Sequence, residues 1–228
     1  MTETSVYRTN NINLGDYDFE NDIQNRVAFL SFNDDDLAVV EEIIYNSQKI
    51  PLQKLCNLTG FDLATVTKTL NKLLKTNLLK VDKDILIVDK ESRKHFESQL
   101  LKFDEKFTPG LETMHGILKK VPIHILPTWY SIPRTSNNIF GSIIEKYLAT
   151  PQTYQRYLSE INLGNDIQAN IVRDLLSSKS YKLYAHSVKE KYSLNQEDFE
   201  KSIIELEFNL ICCLSYEKKN GQWEEVIS

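Results

Sequence analysis

The chain has 228 residues, 41% of them hydrophobic and 26% charged, with a formal net charge of −5. This length suits one large or two small domains, and the composition is that of an ordinary soluble globular protein. No run of 18 apolar residues occurs, which excludes a membrane-spanning helix, and the net acidity disfavours indiscriminate polyanion binding while leaving room for a local basic face.

Residues 1–22 are polar and rich in Asn, Asp and Thr, and they read as a flexible arm held only near Leu14 or Tyr17. Residues 23–89 read as a first module. Its leading stretch, Val27-Ala28-Phe29-Leu30, is apolar and packs on the rest of the module. Asn33 is an N-cap residue, and Asp34, Asp35 and Asp36 complement the helix dipole behind it. Leu37, Val40, Ile43 and Ile44 continue at helical spacing. Ile50-Pro51 is an extended step, because the residue before proline avoids the helical region. A short helix over residues 52–58 ends at Thr59-Gly60. Asp62 caps a third helix with Leu63, Val66, Leu70 and Leu73 inward, and Asn77 is placed for a left-handed C-cap. Two β-like runs, residues 78–81 and 85–88, then flank the turn Asp82-Lys83-Asp84.

A connector over residues 90–164 carries the stripe Phe96, Leu100, Phe103 and Phe107 on a charged helix. Pro109-Gly110 interrupts it, and Leu111, Met114, Ile117 and Leu118 resume it. Trp129 and Tyr130 come next between prolines, then a helix over 139–148 and another capped by Thr150 with Pro151 in its first turn. Residues 165–228 repeat the order of the first module. They comprise a helix from Asn165-Asp166, a short strand within 181–184, a short helix over 185–192, and a helix capped by Asn195 with Phe199, Ile203 and Leu206 inward. The step Phe208-Asn209-Leu210-Ile211 matches Thr76-Asn77-Leu78-Leu79, and a closing hairpin turns at Asn220-Gly221.

The order helix, strand, helix, turn, helix, hairpin resembles the winged-helix form of the helix-turn-helix. Winged-helix domains commonly place a glycine where Asn77 stands. The resemblance implies a mainly α (α+β) fold, tandem winged-helix modules joined by a helical connector. It also implies that the third helix of a module is the one that enters the major groove of duplex DNA.

No catalytic constellation stands out. There is no phosphate-cradling glycine loop, and His95, His115, His124 and His186 are scattered without metal-ligand spacing. The expectation is therefore a binding protein rather than an enzyme, with no cofactor and no metal. Three cysteines, Cys56, Cys212 and Cys213, fit no disulfide framework, and the amino terminus has no secretory pattern. These features point to a reducing compartment, cytoplasmic, or nuclear in a eukaryote.

Charge distinguishes the two modules. Residues 1–49 hold ten acids against three basic residues, whereas residues 50–80 hold five lysines against Asp62 alone. With the apolar stripe inward, Thr65, Thr67, Lys68, Asn71 and Lys72 face outward on the third helix. Thr65, Thr67 and Lys68 are then nearest to bases, and Lys72, Lys75 and Lys80 nearest to phosphates. An arginine, the commonest reader of guanine, is missing from this helix. The third helix of the second module carries Glu197, Asp198, Glu200, Glu205 and Glu207 against Lys201 alone, and phosphate would repel it. Glu197 and Glu200, with Trp129 and Tyr130 in their proline-flanked loop, are the candidates for contact with a protein partner. The aromatic stripe either packs between the modules or forms a homodimer helix. The functional expectation is a DNA-binding, transcription-associated protein whose second module meets a protein partner. The alternative is a non-catalytic interaction scaffold in a larger complex.

Overall fold

The computed structural model describes residues 10–163 and 165–228. After a short 3-10 turn at Leu14–Asp16 comes α1 (Phe19–Leu30). The first unit is α2 (Asp34–Tyr45), β1 (Lys49–Pro51), α3 (Leu52–Thr59), α4 (Leu63–Leu73), β2 (Leu79–Asp82) and β3 (Ile85–Val88). Next come α5 (Lys90–Leu100), a 3-10 turn at Leu101–Phe103, α6 (Leu111–Leu118), α7 (Leu126–Trp129), α8 (Ile139–Tyr147) and α9 (Pro151–Glu160). The second unit is α10 (Asp166–Ser177), β4 (Leu183–Tyr184), α11 (Ala185–Tyr192), α12 (Gln196–Phe208), β5 (Leu214–Lys219) and β6 (Gln222–Ile227). The described residues are thus mainly helical with two small antiparallel sheets, an α+β structure.

Local chemistry sets most boundaries. Asn33 and Asp36 form a reciprocal capping box at the start of α2. Asp62, Asn195 and Thr150 accept hydrogen bonds from the backbone N–H of Thr65, Asp198 and Thr153. Gly60 ends α3 at φ +74°, a conformation most side chains resist. Asn220 and Gly221 both have positive φ, as a two-residue turn between twisted strands requires. The two sheets share one topology: β3 lies between β1 and β2, and β6 lies between β4 and β5.

The described residues form three cores. The first is the interior of the first unit, with Val40, Ile43, Leu55, Val66, Leu73 and Leu86, extended by Phe29, Phe96 and Phe103. Tyr216 of the second unit belongs to it, stacked on Phe103 at a ring-centroid distance of 3.9 Å. The second core gathers α6 to α9 around Trp129 and Tyr130 and takes in Ile204, Phe208 and Leu210. The third is the interior of the second unit, with Ile171, Phe199, Ile203, Leu206 and Ile227.

The fold corrects several expectations. Residues 10–22 are not a loose arm: Leu14 is buried, the Asn11 N–H donates to the Trp129 carbonyl, and Asp22 is enclosed. The expected arm's residues 1–9 lie outside the described residues. Leu63 is 56% exposed, and Thr69 takes its place on the inner face of α4 because its hydroxyl donates to the Asp36 carboxylate at 2.7 Å. Asn77 does not adopt positive φ. The Thr76 hydroxyl instead donates to the Leu73 carbonyl and accepts from the Leu78 N–H, which turns the chain without a left-handed residue. At the matching step of the second unit the left-handed residue is Leu210, at φ +57°, not Asn209. The helix carrying the aromatic stripe ends before Phe107, and Phe96 and Phe103 pack inside the chain, leaving no stripe free for a homodimer.

Candidate functional site

The outer face of α4 carries most of the residues expected to meet nucleic acid. The helix rests on α2 and α3 and turns Thr67, Lys68 and Asn71 to solvent, with Thr65 half-buried near its start and Lys75 exposed just beyond its end. Lys80 is exposed on β2. Lys68 and Lys75 have no ion pair with another described residue, so their charge is available. Lys72 differs. Its Nζ donates to the Ser31 carbonyl at 2.6 Å and to the Asp36 carboxylate at 2.5 Å. Burial pushes the Asp36 carboxyl up, but the bonds from Lys72, the Asn33 backbone and Thr69 outweigh it and hold the group below the usual carboxylate range. Lys72 is therefore a structural cation that neutralises the start of α2, and it is not a free phosphate contact.

The equivalent helix of the second unit has no free face of comparable size. Phe199, Ile203 and Leu206 of α12 point into the third core, while Ile204 and Phe208 point into the second. Of the residues expected to meet a partner, Glu197 is exposed, but Glu200, Trp129 and Tyr130 are each 0% exposed. The Trp129 Nε1–H donates to Asp16 at 2.8 Å, and the Tyr130 hydroxyl donates to the Phe208 carbonyl at 2.5 Å. Tyr157 and Tyr154 donate likewise to the carbonyls of Asn209 and Leu210. Three tyrosine hydroxyls thus satisfy the carbonyls at the end of α12 that have no helical partner. Enclosure rules out Glu200, Trp129 and Tyr130 as direct contacts for another molecule. The hairpin of the second unit is engaged as well: Lys218 Nζ and Trp223 Nε1 donate to Asp34 at 2.6 and 2.9 Å.

A buried ion cluster, not foreseen from the sequence, sits where α1 crosses α12. Arg26, 2% exposed, pairs with Glu207, with Asp22 at 3.4 Å and with Glu200 at 3.5 Å. Lys120 Nζ lies 2.7 Å from Asp22, and Lys102 Nζ lies 3.6 Å from Glu207. Three cations therefore face three carboxylates, an arrangement that offsets the cost of taking charge out of water. Burial pushes the Asp22 carboxyl up, but Lys120 and Arg26 outweigh it and hold it far below the usual range. Burial likewise opposes Arg26 and Lys102 at Glu207, which is held down at about 2. Burial lowers Lys120 to about 8 against the pull of Asp22. On the far side, Glu200 meets Glu225 of β6, also buried, beside Lys189 and the Tyr216 hydroxyl. Burial, and then the Glu200 charge, push Glu225 up to about 8.

Arg26 and Asp22 stand at i, i+4 in a helix that looks polar and solvent-facing, and nothing in that local pattern announces enclosure. A hint was available: Phe199, Ile203 and Leu206 fill one face of α12 and Ile204 and Phe208 extend the apolar set well beyond it, too wide a set for a helix with one buried face. Among the described residues no group of three His, Cys, Asp or Glu is arranged to hold a metal, and no helix is long and apolar enough to cross a membrane. In comparison with known proteins, no family model, no curated protein and no solved structure matches this chain.

Proposed function

We propose that the two units are winged-helix modules and that the chain binds duplex DNA through the outer face of α4, the second module serving to brace the first. The common order of elements and the common sheet topology support the module assignment. The observation that carries the binding role is the contrast in access: α4 and the turn after it present Thr67, Lys68, Asn71 and Lys75, while α12 is enclosed by two cores and an ion cluster. Lys68 and Lys75 supply phosphate contacts, and Thr67 and Asn71 can address base edges. Without arginine on this helix, sequence discrimination is modest and salt sensitivity dominates.

The test is fluorescence anisotropy of a labelled mixed-sequence duplex at about 50 and 200 mM salt. Binding that weakens steeply with salt, and that Lys68→Glu with Lys75→Glu removes from a folded protein, is the expected result. Unchanged binding by that variant would end the assignment to α4.

A second reading is a protein-docking scaffold. Leu58, Leu63 and Leu74, on and beside α3 and α4, are 43%, 56% and 47% exposed, an apolar margin that phosphate does not need. Absence of duplex binding at the lower salt, with association to a protein partner lost on Leu63→Asp, would establish this reading in place of the first.

A further inference from the structure

Each sheet has two edge strands, and an edge strand presents backbone N–H and C=O groups with which another strand can pair. Three of the four edges are blunted. β1 is three residues long and ends in Pro51, which has no N–H. β4 is only two residues long. β5 is covered by the 3-10 turn at Leu101–Phe103, whose Phe103 stacks on Tyr216. β2 differs from these. β3 lies on one side of it, and among the described residues no other element packs along it. Its Leu79 enters the first core, whereas Lys80, Val81 and Asp82 are exposed.

The phase of the β2–β3 ladder fixes which groups point outward. Val88 stands opposite Leu79, and its N–H donates to the Gln48 carbonyl on the β1 side. The Asp89 N–H donates to the Leu78 carbonyl. Alternation then assigns the hydrogen-bonded pairs to Lys80 with Ile87 and Asp82 with Ile85, and it turns the N–H and C=O of Val81 to the free edge. By the pleat, Lys80 and Asp82 share one face of the strand and Val81 stands on the other. Neither Lys80 nor Asp82 forms an ion pair with another described residue, and Lys80 acts on Asp89 only at a distance.

This pattern is self-complementary. Two copies of β2 set antiparallel about Val81 place Val81 against Val81, where the two residues exchange both backbone hydrogen bonds, and Lys80 of each chain against Asp82 of the other. We propose that β2 pairs in this register with β2 of a second copy of this chain, joining two three-stranded sheets into one. Edge lysines ordinarily discourage strand pairing. In this register each lysine meets a carboxylate, whereas a shift of two residues either way would set lysine against lysine or aspartate against aspartate. The contact is short, so the dimer exchanges with monomer. Because the other edges are blunted, pairing stops at two copies. The inference is independent of DNA binding through α4.

The experiment is sedimentation velocity of the full chain from about 10 µM to about 1 mM. A monomer–dimer equilibrium that salt weakens is expected. Val81→Pro removes an outward N–H without breaking a β2–β3 bond, and it should abolish the dimer. Lys80→Glu alone and Asp82→Lys alone should each weaken self-association at least about tenfold, because both cross-strand pairs become like-charged. An equimolar mixture of those two variants should associate again, since every mixed pair then joins opposite charges. Should Val81→Pro fail to fold, this exchange of charge still decides. A chain that stays monomeric throughout, full association in folded Val81→Pro or in either charge variant, or a mixture that fails to associate would overturn the proposal.

Discussion

In the first unit α4 sets Val66, Thr69, Leu70 and Leu73 against α2 and α3 and leaves its other face to water. In the second unit α12 sends Phe199, Ile203 and Leu206 to its own core, Ile204 and Phe208 to the core of α6 to α9, and Glu200 and Glu207 to Arg26. Both helices have a capped start, precede a hairpin and stand beside a sheet of the same topology. They differ in what lies on the far side. Beyond α4 there is solvent, whereas beyond α12 lie α1 and the segment joining the two units. Glu200 and Glu207 of α12 are therefore ligands for buried cations, while Lys68 of α4 and Lys75 just beyond it remain available at the surface. The position of an element within a repeated unit does not fix its exposure, which depends on the rest of the chain.

The contrast can be broken most severely at Arg26. Arg26→Ala leaves Asp22, Glu200 and Glu207 without their shared cation, and a loss of about 3–5 kcal/mol is expected. Urea unfolding checks this, and a loss below about 1 kcal/mol would mean that the cluster is hydrated rather than sealed.

The pH dependence of stability sharpens the same side of the comparison. Glu225 titrates near 4.5 when unfolded but near 8 in the fold. Between those values the unfolded chain has released a proton that the native state retains, so stability falls as pH rises across that window. Glu207 acts in the opposite sense. Its native value near 2 lies below its ordinary 4.5, so stability is lost as pH falls from 4.5 towards 2. Melting temperature against pH should peak between these limbs, and Glu225→Gln should flatten the alkaline one.

On the α4 side the effects are smaller. Lys72→Ala leaves the mostly enclosed Asp36 without its cation and should cost about 1–3 kcal/mol. Lys68→Glu with Lys75→Glu should change stability by about 0.5 kcal/mol or less, while removing salt-sensitive duplex binding. If Lys72→Ala instead affected DNA binding alone, Lys72 would belong to the exposed face after all.

What the sequence determined by itself was local. The caps at Asn33, Asp62, Thr150 and Asn195, the turn at Asn220-Gly221, the order of elements in both units and the inward set Val66, Leu70 and Leu73 depend on residues within a turn or two of each other. Those hydrogen bonds and periodicities form wherever the segment sits. The tertiary structure alone decided the enclosure of Arg26, Glu200, Trp129 and Tyr130, the exposure of Leu63, and the left-handed turn at Leu210 rather than at Asn209. Each of these depends on a partner far along the chain: Glu207 for Arg26, Phe208 for Tyr130, Asp36 for Thr69. A polar side chain carries no local sign of whether water or a distant opposite charge will satisfy it, and folding brings that partner into place.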